Sequence, residues 1–498
     1  MTNLEVITMK CGFTHKFWQV LLIVVAICAL ELPAFAVTLR ADTASKKLAD
    51  GTIITVWGFA DDTAGPGTGT VTVPGPQIRI APGATLNITL NNKLPVPVSL
   101  IIPGLPVAPN TSTVSDSLHY DSVVPANTPV PGNPNFPPPG TTIQPKNRVL
   151  SLTSLVASPG GSATYNINIA GRQGTYVYES GTHQAVQIPM GLYGALVIGP
   201  GTSGQAYIPT ATNTNTTYDQ DQVVLFSEIL ARYDWTLNPP RFVTFNEDIV
   251  NAVAALPPGS NITMNRMLDY EPLYYMINGK SYPDTITQPV NAPAGTPASL
   301  PGLYVPPGKK TLLRLINAGL QNRVPTIQGT YLDNADPTLA KPHALYPQVI
   351  AEDGRLYNYV KQEFAPILPA GKSMDVMLDL TQAKTAGYYT LYDRRLTLAN
   401  AGVYPGGMLT FLASWDPATQ NCSPFKGDMN NDGQINVIDA LIVLKLVVTN
   451  GYDPNGDVTT NNPLYPYVNG LPCGKGSGPL TISDALAVLK KAVGMNPY

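Results

Sequence analysis

Charge, histidine and cysteine are all scarce in this chain. Only 13% of its 498 residues are Asp, Glu, Lys or Arg, against a usual ~25%. The 30 basic and 33 acidic residues leave a net charge of −3, which gives a polyanion no positive field and argues against a nucleic-acid partner. Four cysteines and four histidines are the whole supply of thiolate and imidazole donors. Long apolar runs are missing too. The stretch 17–30, FWQVLLIVVAICAL, is too short to favour a bilayer-spanning helix. It follows Lys10, His15 and Lys16 and precedes the small-x-small pattern Ala34-Phe35-Ala36. That arrangement reads as a secretory leader (1–36) cleaved after Ala36. The mature protein is then secreted or held at the cell surface, or in a periplasm. His15, Cys11 and Cys28 leave with the leader, so His119, His183, His343, Cys422 and Cys473 remain.

Proline and glycine are abundant, at 49 and 43 residues, which favours a loop-rich β protein. The stretches 52–60, 76–94, 162–170 and GTYVYES (174–180) alternate apolar and polar residues between Pro/Gly/Asn turns. That period-two pattern predicts strands of a β-sandwich over 37–202. Residues 123–147 carry too many prolines for interior strands and read as a surface loop. A second β unit spans 203–415, with firm strand signals in 274–279, 309–319, 344–354, 373–380, 385–395 and 405–415. NEDIVNAVAAL (246–256) has helical spacing behind an Asn246 cap and reads as a helical insertion. The cluster Asp393-Arg394-Arg395 is expected to form a surface or interdomain ion pair.

Behind a linker at 416–426 the chain changes character. IDALIVLKLVV (438–448) and SDALAVLKKAV (483–493) are near-copies 45 residues apart (438 to 483) with helical spacing, an internal duplication. Ahead of the first copy, Asp428, Asn430, Asp432, Asn436 and Asp439 fall at loop positions 1, 3, 5, 9 and 12. Gly433 takes the sharp turn at position 6 and Gln434 offers its carbonyl at position 7. Oxygen donors at this spacing suit calcium. The segment 427–498 therefore resembles a type I dockerin module, a small α-helical domain of EF-hand type. The second repeat departs from that pattern: Asp457 and Asp484 match the ends of the loop, but 26 residues separate them instead of 10. Cys422 and Cys473, alone in an exported chain, are expected to pair. Closing that loop would be worth ~4 kcal/mol on the chain-entropy model. The resemblance implies a cohesin-like or cell-surface protein as partner.

Residues 50–415 resemble the cupredoxin domains of multicopper oxidases. VPGPQIRIAPGATLNITLNNKLPVPVSLIIPGL is similar to the opening strands of that family, but Ile101 and Pro103 stand in its histidine positions. VYESGTHQAVQIPMGLYGALVIGP is similar to its second copper-bearing strand, with His183 the one imidazole. YTLYDRRLTLANAGVYPGGMLTFL resembles the final segment, without Cys or His; Met408 there reads as a strand core residue. A blue-copper centre takes a thiolate and two imidazoles, and the coupled trinuclear centre about eight further imidazoles. Three histidines and no cysteine in either β unit do not supply them.

The expected architecture is thus mainly β: two cupredoxin-like Greek-key sandwiches and a dockerin-like tail. The favoured function is an exported scaffold or binding protein without copper chemistry, stabilised by calcium and bearing no catalytic residues. Two alternatives stay open. One is a reduced copper oxidoreductase centred on His183, with Glu179 and Met190 nearby. The other is a carbohydrate-associated subunit docked through a cohesin partner.

Overall fold

The computed structural model describes residues 34–83, 85–106, 119–121, 148–246, 270–286, 303–306, 308–328, 347–381, 387–414, 436–448 and 482–493. The first β unit contains β1 (Ala34–Lys47), β2 (Ile53–Asp61), β3 (Ile78–Ile80), β4 (Thr85–Asn92), β5 (Val98–Ser99), β6 (His119–Asp121), β7 (Arg148–Ser151), β8 (Val156–Ala157), β9 (Ser162–Asn168) and β10 (Gly174–Glu179). A helix α1 (Gln184–Met190) and the strand β11 (Tyr193–Ile198) complete it. One sheet runs β2-β1-β4-β9 and the facing sheet β10-β11-β3. The expected sandwich is present, and its alternation is clearest in β4. Leu86, Ile88, Leu90 and Asn92 are buried while the residues between them are partly exposed, as a strand with one core face requires. Leu39, Trp57, Phe59, Ile88, Tyr165 and Tyr178 fill the space between the sheets. The stretch 76–94 is divided into β3 and β4, with Pro82 and Gly83 between them. Strand β1 starts at Ala34, so its pairs with Thr85, Leu86 and Asn87 involve residues 34–36 at the end of the expected leader. The pairs from Val37 to Ala41 lie beyond that point.

The second unit contains β12 (Gln220–Ile229), β13 (Arg232–Asp234), β14 (Arg241–Val243), β15 (Tyr274–Ile277), β16 (Leu303–Tyr304), β17 (Lys310–Asn317), β18 (Pro325–Gln328), β19 (Gln348–Glu352), β20 (Arg355–Gln362), β21 (Ser373–Asp379), β22 (Gly387–Asp393) and β23 (Leu409–Ser414). Its sheets run β15-β12-β17-β21-β19-β20 and β16-β23-β22-β18. Between them lie Val224, Phe226, Leu313, Val376, Leu391, Met408 and Leu412, so Met408 is the core residue its strand pattern suggests. Phe245 and Asn246 begin a helical turn. The rest of the expected insertion, the proline-rich segment and the linker lie outside the described residues.

The ribbon β10–β11 departs from the simple alternation read in GTYVYE. Every residue in both strands is buried. Tyr176, Tyr178, Leu196 and Ile198 face the first core. Val177, Tyr193 and Ala195 face a second cluster with Leu225, Ile229, Tyr274 and Ile316 of the other unit. The two faces of one ribbon therefore serve two apolar clusters.

Polar groups lock the same seam. Thr175 Oγ1 donates to Asp375 Oδ1 at 2.6 Å and accepts from Arg314 Nη1 at 3.1 Å. Arg314 Nε and Arg79 Nη1 both reach Asp221 Oδ2, at 2.6 and 2.7 Å. The Tyr207 hydroxyl donates to Asp375 Oδ2. Burial pushes the Asp375 carboxyl up, with Arg314 opposing. Close approach here depends on Gly354, which has φ 70° and lies so near the Tyr176 hydroxyl that a Cβ would overlap it. Gly354→Ala is expected to cost about 2 kcal/mol from the left-handed backbone and the clash. A urea titration checks this, and an unchanged midpoint would refute it.

In the tail, α2 (Val437–Val448) and α3 (Ile482–Ala492) match the two copies of the duplication. They bury Ala440, Ile442 and Val443 against Ala485 and Val488. Leu441 and Leu486 stay more than half exposed at 55% and 51%, as do Ile438, Val448 and Val493. Among the described residues no helix is long and apolar enough to cross a membrane.

Candidate functional site

The two stretches that resemble copper-bearing motifs are adjacent in space. Ile101 pairs with Glu179 through two backbone hydrogen bonds, of 2.9 and 3.0 Å. The stretch similar to a copper-bearing strand does not stay extended beyond Glu179. It continues instead into α1, entered through His183 in the left-handed region at φ 43°. The His183 carbonyl accepts from the Val186 and Gln187 amides, at 2.9 Å each. Gly191, at φ 119°, ends the helix, a role that glycine fills without a Cβ penalty.

Between the motifs lies a closed set of hydroxyls and amides. Thr182 Oγ1 donates to Ser99 Oγ at 2.7 Å, and Ser99 Oγ shares a 3.0 Å hydrogen bond with Ser151 Oγ. Ser180 Oγ donates to Gln187 Oε1 at 2.5 Å and accepts from the Thr182 amide at 3.1 Å. Gln187 Nε2 donates to the Pro97 carbonyl at 2.8 Å. All five side chains are buried. Each satisfies another, which is the condition for keeping such groups inside a core. Gly181 sits among them because a Cβ would press on Ile101 and on Ser99 Oγ, at 2.7 and 2.9 Å.

Glu179 is buried beside this network and accepts from Gln184 Nε2 at 3.2 Å. Burial raises its carboxyl to about 7, and the Gln184 hydrogen bond acts against that rise. Of the three residues read as a reduced copper site, Met190 belongs to the first apolar core. Glu179 is engaged by Gln184, and His183 caps α1. The network of Ser99, Ser151, Ser180, Thr182 and Gln187 does not fit copper: its donors are neutral hydroxyls and amides already bonded to one another, whereas copper selects thiolate and imidazole.

The final copper-like segment is rebuilt differently, and the expected surface ion pair there is corrected. Asp393 is fully buried and belongs to an internal triad with Arg323 and Glu228, themselves 0% and 1% exposed. Arg323 Nη1 reaches Asp393 Oδ2 at 3.3 Å, and Nη2 pairs with Glu228 Oε2. Glu228 also accepts from the Leu320 and Gln321 amides and the Tyr270 hydroxyl, at 2.7, 3.1 and 2.9 Å. Asp393 accepts from the Val324 amide and Thr397 Oγ1 at 2.9 Å each. A charged triad is costly to bury unless its remaining lone pairs are met, and here the loops around 320–324 and 393–397 meet them. Asp393 stands out in the sequence, whereas Arg323 and Glu228 carry no local signal, because nothing in their neighbouring residues links three distant positions. Among the described residues, no group of three or more His, Cys, Asp and Glu side chains is placed to hold a metal ion.

In the tail, Asn436 and Asp439 cap α2 reciprocally. Asn436 Oδ1 accepts from the Ile438 amide at 2.7 Å, and the Asn436 amide donates to Asp439 Oδ2 at 2.8 Å. This is a capping box. Asp484 lies near the start of α3. The other residues of the calcium reading (Asp428, Asn430, Asp432, Gln434 and Asp457) lie outside the described residues, as do Cys422, Cys473 and His343. His119 lies on β6, whose backbone pairs it with Ser151 of the hydroxyl network, and Ser151 in turn bridges to Thr182 beside His183.

These features define a mainly β protein built on two β-sandwich units. Residues 143–203, which hold β10, α1 and β11, match the multicopper oxidase family model. Among solved structures, the blue copper oxidase from Nitrosomonas europaea aligns at TM-score 0.46 and 18% identity, over 79% of this chain and 89% of its own. A multicopper oxidase called mgLAC aligns at 0.44 and 18%, over 77% and 87%. The copper nitrite reductase from Nitrosomonas europaea aligns at 0.43 and 16%, over 77% and 96%. No curated protein sequence matches the chain.

Proposed function

We propose that this chain is an exported, non-enzymatic scaffold or binding protein on multicopper-oxidase-like domains, carrying a calcium-stabilised dockerin-like tail. The observation behind this reading is the closed network of Ser99, Ser151, Ser180, Thr182 and Gln187 where the resemblance expects copper ligands. Hydrogen-bonded hydroxyls hold the strands together there, and they offer no imidazole set to a redox metal. The exposed leucines and valines on the paired tail helices support attachment to a protein partner. The oxygen-donor spacing of Asp428, Asn430, Asp432, Asn436 and Asp439 supports calcium as the ion that folds the segment ahead of α2.

The test is elemental analysis of the mature full chain after loading with copper and calcium and dialysis, with a visible spectrum alongside. The expected result is calcium at about one to two per chain, with copper below about 0.1 and no blue absorption. Stoichiometric copper that disappears in His183→Ala would replace this reading with a reduced copper enzyme.

A further inference from the structure

Helix α2 is apolar on more sides than α3 covers. Of its twelve residues only Asp439 and Lys445 are charged, and Ala440 and Val443 meet α3 through Ala485 and Val488. Val437, Leu441, Leu444 and Val448 form a separate stripe, between 40% and 76% exposed. Their 4-3-4 spacing keeps them together on one side of the helix, beside the α3 contact and not in it. The duplication repeats the stripe. Leu486, Leu489 and Val493 stand where the first copy has Leu441, Leu444 and Val448, and they are exposed as well. A helix that is apolar all round is ordinarily buried all round, so the α2 stripe is a face made to be covered.

The order of the stripe selects its occupant. Read from either end it is Val-Leu-Leu-Val at the same spacing. Two antiparallel copies of α2 therefore set Val437 against Val448 and Leu441 against Leu444. Such self-matching is what a two-fold, isologous interface requires, and alternating steps of four and three are those of a packed helix seam. No charged residue lies in the stripe, so identical chains meet there without like charges placed face to face. The area is also sufficient. The two stripes and Ile438 expose on the order of 700 Å² of apolar side chain per copy, close to the ~800 Å² that each partner of a stable complex buries.

We infer that the tail joins two copies of this chain through antiparallel α2 helices. The inference deepens the scaffold reading by naming a second copy as the partner of its tail, and it rests on that reading. Sedimentation equilibrium of the full mature chain with calcium, over about 1–100 µM, tests it. A dimer is expected. Leu441→Glu combined with Leu444→Glu should raise the dissociation constant at least about a hundredfold. Tyr404→Glu, at an exposed position outside the tail, should leave it unchanged. A second measurement does not depend on how the glutamates affect the tail. Mild oxidation of a mixture of Val437→Cys and Val448→Cys chains should give a 437–448 disulfide, read by peptide mass spectrometry. Val437→Cys alone should give no cross-link at 437, because its two copies would sit roughly 16 Å apart along the helix axis. A monomer throughout the range, a dimer untouched by the paired glutamates, or a 437–437 cross-link without the mixed one would overturn the pairing. None of those results affects the metal analysis above. Stoichiometric copper there would remove the scaffold reading whatever the oligomeric state.

Discussion

Replacing Arg323 by methionine is expected to lower the thermal midpoint by about 10 °C. The substitution leaves Glu228 and Asp393 buried, at 1% and 0% exposure, with no cation between them. Losing one member of a buried ion pair typically costs about 3–5 kcal/mol, because the remaining charge stays in a poor solvent. At roughly 2–4 °C per kcal/mol in a unit of this size, the shift follows. The backbone amides of Leu320, Gln321 and Val324 still point at the carboxylates, so the loss should stop short of complete unfolding at room temperature. Adding Glu228→Gln and Asp393→Asn to the same chain should recover most of the midpoint, since no bare charge is then buried. The Arg323 guanidinium also lies 5.2 Å from the centre of the Tyr275 ring, and methionine can keep part of that packing. Differential scanning calorimetry on the three proteins decides the matter. A single variant within about 2 °C of the parent would show that water reaches the triad and that burial there is nominal.

The second large effect is a pH dependence from Glu179. Its carboxyl is held at about 7 by burial, against the ordinary 4.5. Below pH 4.5 the group is protonated in the folded and unfolded chain alike and costs nothing. Between 4.5 and 7 the unfolded chain loses the proton while the folded one keeps it, so stability falls as pH rises. Above 7 both forms are ionised and the full penalty remains. At 1.36 kcal/mol per pKa unit, that penalty is about 3 kcal/mol. Glu179→Gln should keep the neighbouring amide contact and remove the slope. Urea unfolding at pH 5 and pH 8 is the measurement. The parent should lose about 2 kcal/mol more than the variant across that interval, and equal losses would place the titrating carboxylate elsewhere.

Much of the architecture was readable from local pattern. The strand signals of 162–170, 309–319 and 373–380 became β9, β17 and β21, because their side chains meet one core face or two regardless of context. The duplicated tail helices were also clear, since spacing alone sets which residues meet: Ala440 and Val443 against Ala485 and Val488. The helix α1 was not. Its seven residues include Pro189, and its entry depends on a left-handed His183. Such a short element is held by tertiary contacts, among them the Gln187 amide bond to Pro97, and propensity says little about it. The hydroxyl network shows the same limit. Ser99, Ser151 and Ser180 are unremarkable in sequence, and they acquire meaning only when strands up to 83 residues apart meet. Arg323 and Glu228, 95 residues apart, were invisible for that reason.

The ribbon β10–β11 has a consequence for dissecting this protein. Because Val177, Tyr193 and Ala195 are covered by the second unit, a fragment ending near residue 202 would carry a greasy, solvent-facing strand pair. It should self-associate, and neither half should survive as a well-behaved monomer. The same wall makes the pair hard to shuffle: a new neighbour could replace one half only by matching side chains on a surface that is already the interior of the other. Boundaries drawn along the chain therefore do not coincide with the pieces that can be exchanged.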